Sequence, residues 1–135
     1  MENPYQAPET TEAPAQQAAA RLTMKQILFS LEGRIPRSTW WMYSILTNIV
    51  FNLIIGVLTA SLTSSTGEPS SVLLILFVIL YIPMFWIGIC VSAKRFHDLN
   101  KSGWWMLVPF YNFIAPGFFS GTPGQNRFGS NPLGQ

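Results

Sequence analysis

The chain has one cysteine and one histidine among its 135 residues. A single cysteine rules out an internal disulfide, and one cysteine with one histidine cannot build a soft-ligand metal site. No metal and no cofactor is therefore expected. Charge is scarce too: eight Lys or Arg and six Asp or Glu make up 10% of the chain, against roughly 25% in soluble globular proteins. The net charge is only +2 and no basic stripe forms, which argues against nucleic acid as a partner. The opening also lacks the early cation and short apolar run of a secretory signal. The first positive charge is Arg21, and the first long apolar run begins near Trp40, so membrane insertion is expected through uncleaved segments.

What the chain has in quantity is apolar surface. Hydrophobic residues reach 49% and aromatics 14%, with five Trp and ten Phe, a balance that suits a protein whose solvent is partly lipid. Residues 1–20 are the exception: MENPYQAPETTEAPAQQAAA is rich in Pro and Ala, with almost no bulky apolar side chains. This segment is expected to be a disordered tail, with NPYQAP either part of a solubilising segment or a short recognition peptide. From Ala18 to Ser30, Leu22, Ile27, Leu28 and Leu31 can share one face of a helix lying at the membrane interface or packed under the bundle.

Residues 40–63 carry no charge over 24 positions and as a helix would cover roughly 36 Å, enough to cross a hydrocarbon core of ~30 Å. Trp40, Trp41 and Tyr43 sit where headgroup anchors belong. Asn48, Asn52, Gly56 and Ala60 form a stripe expected to face another helix. After the polar SSTGEPSS, residues 72–93 make a second uncharged span. Pro83 should kink it, and Gly88 and Ser92 suit close packing. Residues 104–119 form a shorter third stretch, interrupted by Pro109 and Pro116-Gly117. It reads as either a short tilted span or a re-entrant element, with Trp104 and Trp105 as further interface anchors. The fold class is thus an all-α integral membrane protein. A single helical membrane domain over residues 21–135 has two transmembrane helices, a third short or re-entrant segment and an interfacial N-terminal helix.

The few charges cluster. Arg21, Lys25, Arg34 and Arg37 precede the first span, the loop between the spans has no basic residue, and Lys94, Arg95 and Lys101 follow the second. By the positive-inside rule the N-terminus and residues 94–103 face the cytoplasm. There LEGRIPRSTWW (31–41) and AKRFHDLNKSGWW (93–105) bring Arg34, Arg37, Lys94, Arg95, His97 and Asp98 to one boundary. Asp98 can pair with Lys94 or Arg95 locally, or with Arg34 or Arg37 across the bundle. The four cations suit an anionic headgroup, at about 1 kcal/mol each; they equally suit the anchor that any bundle needs. His97–Asp98 resembles a general-base pair, but adjacent helical residues point apart and no nucleophile accompanies them. No catalytic residue is assigned. The spans lack the mid-bilayer ionisable groups of a transporter, so a conducting role would need several chains to assemble.

The three polar motifs, LEGRIPRSTWW, KRFHDLNKSGWW and GTPGQNRFGSNP, together resemble in order and spacing the signatures of a family of small bacterial inner-membrane proteins. It is the domain of unknown function (DUF) family 805, of YhaH type. The resemblance covers about residues 29–132. It falls on Gly33, Arg34, Arg37 and Trp41, then on Arg95, His97, Asp98, Ser102, Gly103, Trp104 and Trp105. Last come Gly121, Thr122, Gly124, Asn126, Arg127, Phe128, Gly129 and Pro132. Lys94 and Phe96 depart from the family pattern, which has Arg and Leu there. The resemblance implies a multi-pass protein of the bacterial inner membrane and no particular activity. Polar motifs on all three segments suggest one shared cluster, with GTPGQNRFG folded back beside Arg34 and Asp98 and bringing Asn126 and Arg127 to it. The expected function is non-enzymatic binding of an anionic lipid or a membrane-protein partner through that cluster. An oligomeric channel or transport component is the alternative, and an enzyme using His97 and Asp98 comes third.

Overall fold

The computed structural model describes residues 22–63 and 70–134. The expected tail and its NPYQAP peptide lie outside them, as does most of the polar loop between the spans. The regular elements among the described residues are all helices, with no strand, and Asn126 and Gly129 form an isolated bridge. Helix α1 (Met24–Phe29) begins at a capping box. Thr23 Oγ1 accepts from the Gln26 amide, and Gln26 Oε1 accepts from the Thr23 amide at 2.9 Å, so two orphan donors are satisfied reciprocally. Its Ile27 enters a small core with Ile35, Trp40, Tyr43 and Val91.

Two long helices follow. Pro36, whose fixed φ suits a helix entrance, precedes α2 (Arg37–Leu62), and Ser70 caps α3 (Ser71–Asp98) through its hydroxyl to the Leu73 amide at 3.3 Å. With 26 and 28 residues they extend about 39 and 42 Å, each longer than a hydrocarbon core. Their most apolar stretches are exposed almost throughout. Surface of that kind needs lipid or another apolar chain against it. Aromatic edges hold the two helices together: Phe51 meets Phe77 at 5.9 Å and Tyr81 at 6.2 Å between ring centroids.

The small-residue stripes do not pack closely within the chain: Asn48 and Gly88 line a small gap between α2 and α3. Asn48 and Asn52 lie on exposed surface and donate to their own helix, to Ser44 O and Asn48 O at 2.8 Å each. Gly56 is open, and nothing lies within 4 Å of a Cβ built on Gly88. Close helix packing was the expectation for these positions. The aromatic contacts set the separation of α2 and α3 instead, leaving Gly88 and Ser92 in the wall of a cavity.

Helix α3 runs five residues beyond Ala93 and then stops sharply. Asn100 takes φ +57°. The Lys101 amide donates to Phe96 O and the Asn100 amide to His97 O, both at 2.9 Å. This is a Schellman closure with asparagine in the left-handed position. The third apolar stretch is broken into a 3-10 turn at Gly103–Leu107 and the eight-residue α4 (Tyr111–Phe118). Pro109 ends the first piece, and Phe110 at φ +61° turns the chain into the second. Helix α4 is only about 12 Å long.

The tryptophans separate into two pairs. Trp104 is 78% exposed and Trp105 45%. Trp40 is 5% exposed, which corrects its assignment as a lipid anchor. Trp41 turns beneath α4, its Nε1 donating to Gly117 O at 3.2 Å. The cause is α4 itself, which folds back over the start of α2 and covers both indoles.

Candidate functional site

The charged residues meet where α1, the start of α2, the end of α3 and the chain beyond α4 converge. Arg34, Lys94, Arg95 and Asp98 are each at most 4% exposed. A buried charge is tolerated only when paired and hydrogen-bonded, so the partners explain the site.

Asp98 is held between two guanidiniums. Its Oδ1 accepts from Arg34 Nε at 3.0 Å and Nη2 at 2.9 Å, and its Oδ2 accepts from Arg95 Nη1. Arg34 extends further. Nη1 reaches Gly124 O at 2.8 Å and Gly129 O at 3.1 Å, while Nη2 reaches Thr122 O at 2.6 Å. Each of its N–H groups is therefore engaged. Thr122 closes the loop by donating from its amide (2.8 Å) and its hydroxyl (3.0 Å) to the Asp98 carbonyl. Gly121 sits so close that a Cβ there would fall within the Asp98 carboxylate. The GTPGQNRFG segment thus lies beside Arg34 and Asp98.

The remaining cations cap helices. The last carbonyls of α4 lack intrahelical donors. Pro116 O takes Arg95 Nε at 2.9 Å, Gly117 O takes the Trp41 indole, and Phe118 O takes Arg37 Nη1 at 3.2 Å. Arg95 Nη2 continues to Phe119 O. Helix α1 is served in the same way: Lys94 Nζ donates to Ile27 O at 2.9 Å and to Ser30 O. Cations at helix C-termini also suit the macrodipole.

Two short helices, neither stable alone, are thus tied to α3 by side chains of α2 and α3.

The residues expected to cluster therefore divide. Arg34, Arg95, Asp98 and Asn126 are brought together, with Asn126 Nδ2 donating to His97 O at 2.9 Å and Thr122 Oγ1 at 2.8 Å. Lys94 serves α1 and leaves Asp98 to the arginines. Arg37 and Arg127 are exposed at the rim, Arg127 reaching Asn100 O at 3.3 Å and lying 4.6 Å from the Phe128 centroid. His97 does not pair with Asp98. Its Nδ1 meets Gly33 O at 3.3 Å, and its ring stacks on Phe128 at 3.9 Å. Thr122, Gly121 and Phe128 were visible as motif positions without a role. The backbone carbonyls that receive most of the donors carry no sequence signal at all. Among the described residues, no group of three His, Cys, Asp or Glu could hold a metal.

These features define a class: a helical protein with two membrane-length apolar helices, whose polar motifs on three segments interlock at one end. The chain belongs to the family of proteins of unknown function DUF805, whose profile matches residues 28–130. Inner membrane protein YhaH of Escherichia coli (strain K12) is 35% identical over 106 residues, covering 74% of this chain and 84% of that protein. Inner membrane protein YhaI of the same strain is 29% identical over 107 residues, covering 74% and 83%. No solved structure matches the chain.

Proposed function

We propose that this is a non-enzymatic, multi-pass protein of the bacterial inner membrane. In this reading α2 and α3 cross as a hairpin, and the N-terminus and charged end face the cytoplasm. The third stretch lies re-entrant in the cytoplasmic headgroup region, with α1 beside it. Its function is to bind anionic lipid, or a membrane-protein partner, with the surface of that cytoplasmic end. The observation that carries the reading is the outward face of a piece too short to span: Trp104 is 78% and Phe110 86% exposed. Exposed Lys25, Arg37 and Arg127 belong to the same end. Aromatics and cations together favour an anionic interface. The buried Arg34, Lys94 and Arg95 contribute by holding this surface in shape, since their donors already have protein acceptors.

The test is the lipid and protein that copurify with the chain in mild detergent. Wild type should be enriched in anionic lipid. A Lys25→Gln/Arg37→Gln double variant should lose several-fold of that enrichment, since each cation contributes about 1 kcal/mol. A stoichiometric protein partner would favour the partner arm, and equal lipid composition in both preparations would end the lipid arm. One observation favours the channel or transport alternative. Asn48, Asn52 and Gly56 are exposed on α2, a polar and small surface suited to another copy of the chain. Ion or solute flux from purified protein in liposomes tests it.

A further inference from the structure

A cavity of about 680 Å³ runs along the outer side of α3 from Tyr81 to His97, between α3 and the 3-10 turn. Sixteen residues of helix set its length at roughly 24 Å. The wall changes character along that length. Tyr81, Phe85 and Ile89 make an apolar half, and Ser92, His97, Ser102 and Asn112 supply polar groups towards the charged end. Small residues open it: Gly88 lies in the wall, and a Cβ there would meet nothing within 4 Å. An apolar slot graded into a polar mouth matches one acyl chain ending in a headgroup.

The mouth also states which headgroup. Gly33 O can only accept, so the His97 Nδ1 that meets it carries the proton, and the neutral ring presents Nε2 as an acceptor. Nε2 lies 3.7 Å from where a Gly103 Cβ would stand, in the cavity wall. The Asn112 carboxamide lines the same wall, and its Oδ1 is buried without a partner among the described residues. No carboxylate lines the cavity, so a headgroup ammonium would find acceptors there but no counter-charge, whereas a neutral hydroxyl needs none. Arg127 lies outside the cavity wall but 4.6 Å from the centroid of Phe128, whose ring stacks on His97, so its charge makes the potential beside the mouth more positive. A neutral donor for Nε2 and an anion near Arg127 together describe a phosphodiester whose headgroup alcohol carries free hydroxyls.

We propose that this groove is a specific site for one phosphatidylglycerol-type lipid, its acyl chain along α3 and a glycerol hydroxyl donating to His97 Nε2. The proposal deepens the lipid-binding reading and rests on α3 as a membrane span, but its site is distinct from the Lys25 and Arg37 rim.

The test is native mass spectrometry of the full chain released from nanodiscs of equimolar phosphatidylglycerol, phosphatidylethanolamine and phosphatidic acid. Wild type should retain one phosphatidylglycerol at least ten-fold over the other two. Gly88→Leu, whose Cβ would meet nothing within 4 Å, puts a bulky side chain into the groove and should lose that adduct at least ten-fold. Gly56→Leu, the same change on the open face of α2, should keep it. His97→Phe preserves a ring to stack on Phe128 but removes the acceptor, so the adduct should survive with its headgroup preference lost. An adduct that persists in Gly88→Leu overturns the site. Equal retention of the three lipids by wild type overturns the headgroup assignment, as does a phosphatidylglycerol preference that survives His97→Phe. A protein dimer that Gly88→Leu dissolves would make the occupant a second copy and also overturn the proposal. The Lys25→Gln/Arg37→Gln variant should keep the adduct, so failure of the rim and failure of the groove are read separately.

Discussion

Asp98 is the one anion among three buried cations, and the fold depends on it asymmetrically. Removing either arginine leaves Asp98 a partner, whereas removing Asp98 leaves Arg34 and Arg95 facing each other in a site closed to water. Breaking a buried pair from one side costs about 3–5 kcal/mol. Asp98→Ala should therefore lower the thermal unfolding midpoint in detergent more than Arg34→Lys, which keeps the charge and loses the fork. Gly121→Ala tests the same contact sterically. Its Cβ enters the Asp98 carboxylate, and overpacking of that kind costs about 1–3 kcal/mol. Limited proteolysis should then cut the chain after α4 faster than in wild type. Cleavage rates equal to wild type would mean that the segment does not depend on this contact. The cluster itself was legible from the sequence, because scarce charge concentrated in two motifs marks a boundary. Which cation meets which acceptor was not, since Arg34, Lys94 and Arg95 chiefly seek backbone carbonyls, and every residue has one.

At the scale of elements, long uncharged runs were the easiest to read: helices over 40–63 and 72–93 exist, and both extend further towards the charged end. The extension of α3 entered the sequence reading only through the local pairing of Asp98 with Lys94 or Arg95, and that of α2 did not enter it, because Arg37 and Lys94–Asp98 interrupt the apolar pattern without interrupting the helix. The third stretch shows the opposite problem. Its composition is that of a span, yet Pro109 and the left-handed Phe110 divide it, and hydropathy does not register backbone dihedrals. The end of α3 was readable in principle from Asn100, the residue that best tolerates the left-handed position after glycine. Asn100→Gly should leave stability within a few tenths of a kcal/mol of wild type or raise it. Asn100→Val should cost about 1–2 kcal/mol, since a β-branched residue resists φ +57°. Denaturant unfolding of the three proteins in one detergent checks the order. A valine variant as stable as wild type would show that the turn is not set by this residue.

For the whole molecule, the decisive property is which end faces which compartment. Hydrogen bonds tie the C-terminal segment to residues on both sides of the charged end, through Arg34 on one side and Arg95 and Asp98 on the other. If these contacts persist in the bilayer, residues after α4 share a compartment with residues before α2, whatever the orientation. In the proposed function that compartment is the cytoplasm, since positive segments resist translocation. Cysteine accessibility separates the two steps. With Cys90→Ser as background, single cysteines at Ser65, Ser102 and Ser130 are labelled in intact cells by a membrane-impermeant maleimide. Ser65 lies in the connection between the hairpin helices and should react from outside. Positions 102 and 130 should react only after the inner membrane is opened. Labelling of 102 and 130 together from outside, with 65 protected, would invert the orientation and keep the fold. Labelling of 130 from outside with 102 protected would place α4 across the bilayer. The contacts of Arg34 with Thr122, Gly124 and Gly129 could then not exist in the membrane, because a guanidinium cannot reach a carbonyl across a hydrocarbon layer of ~30 Å.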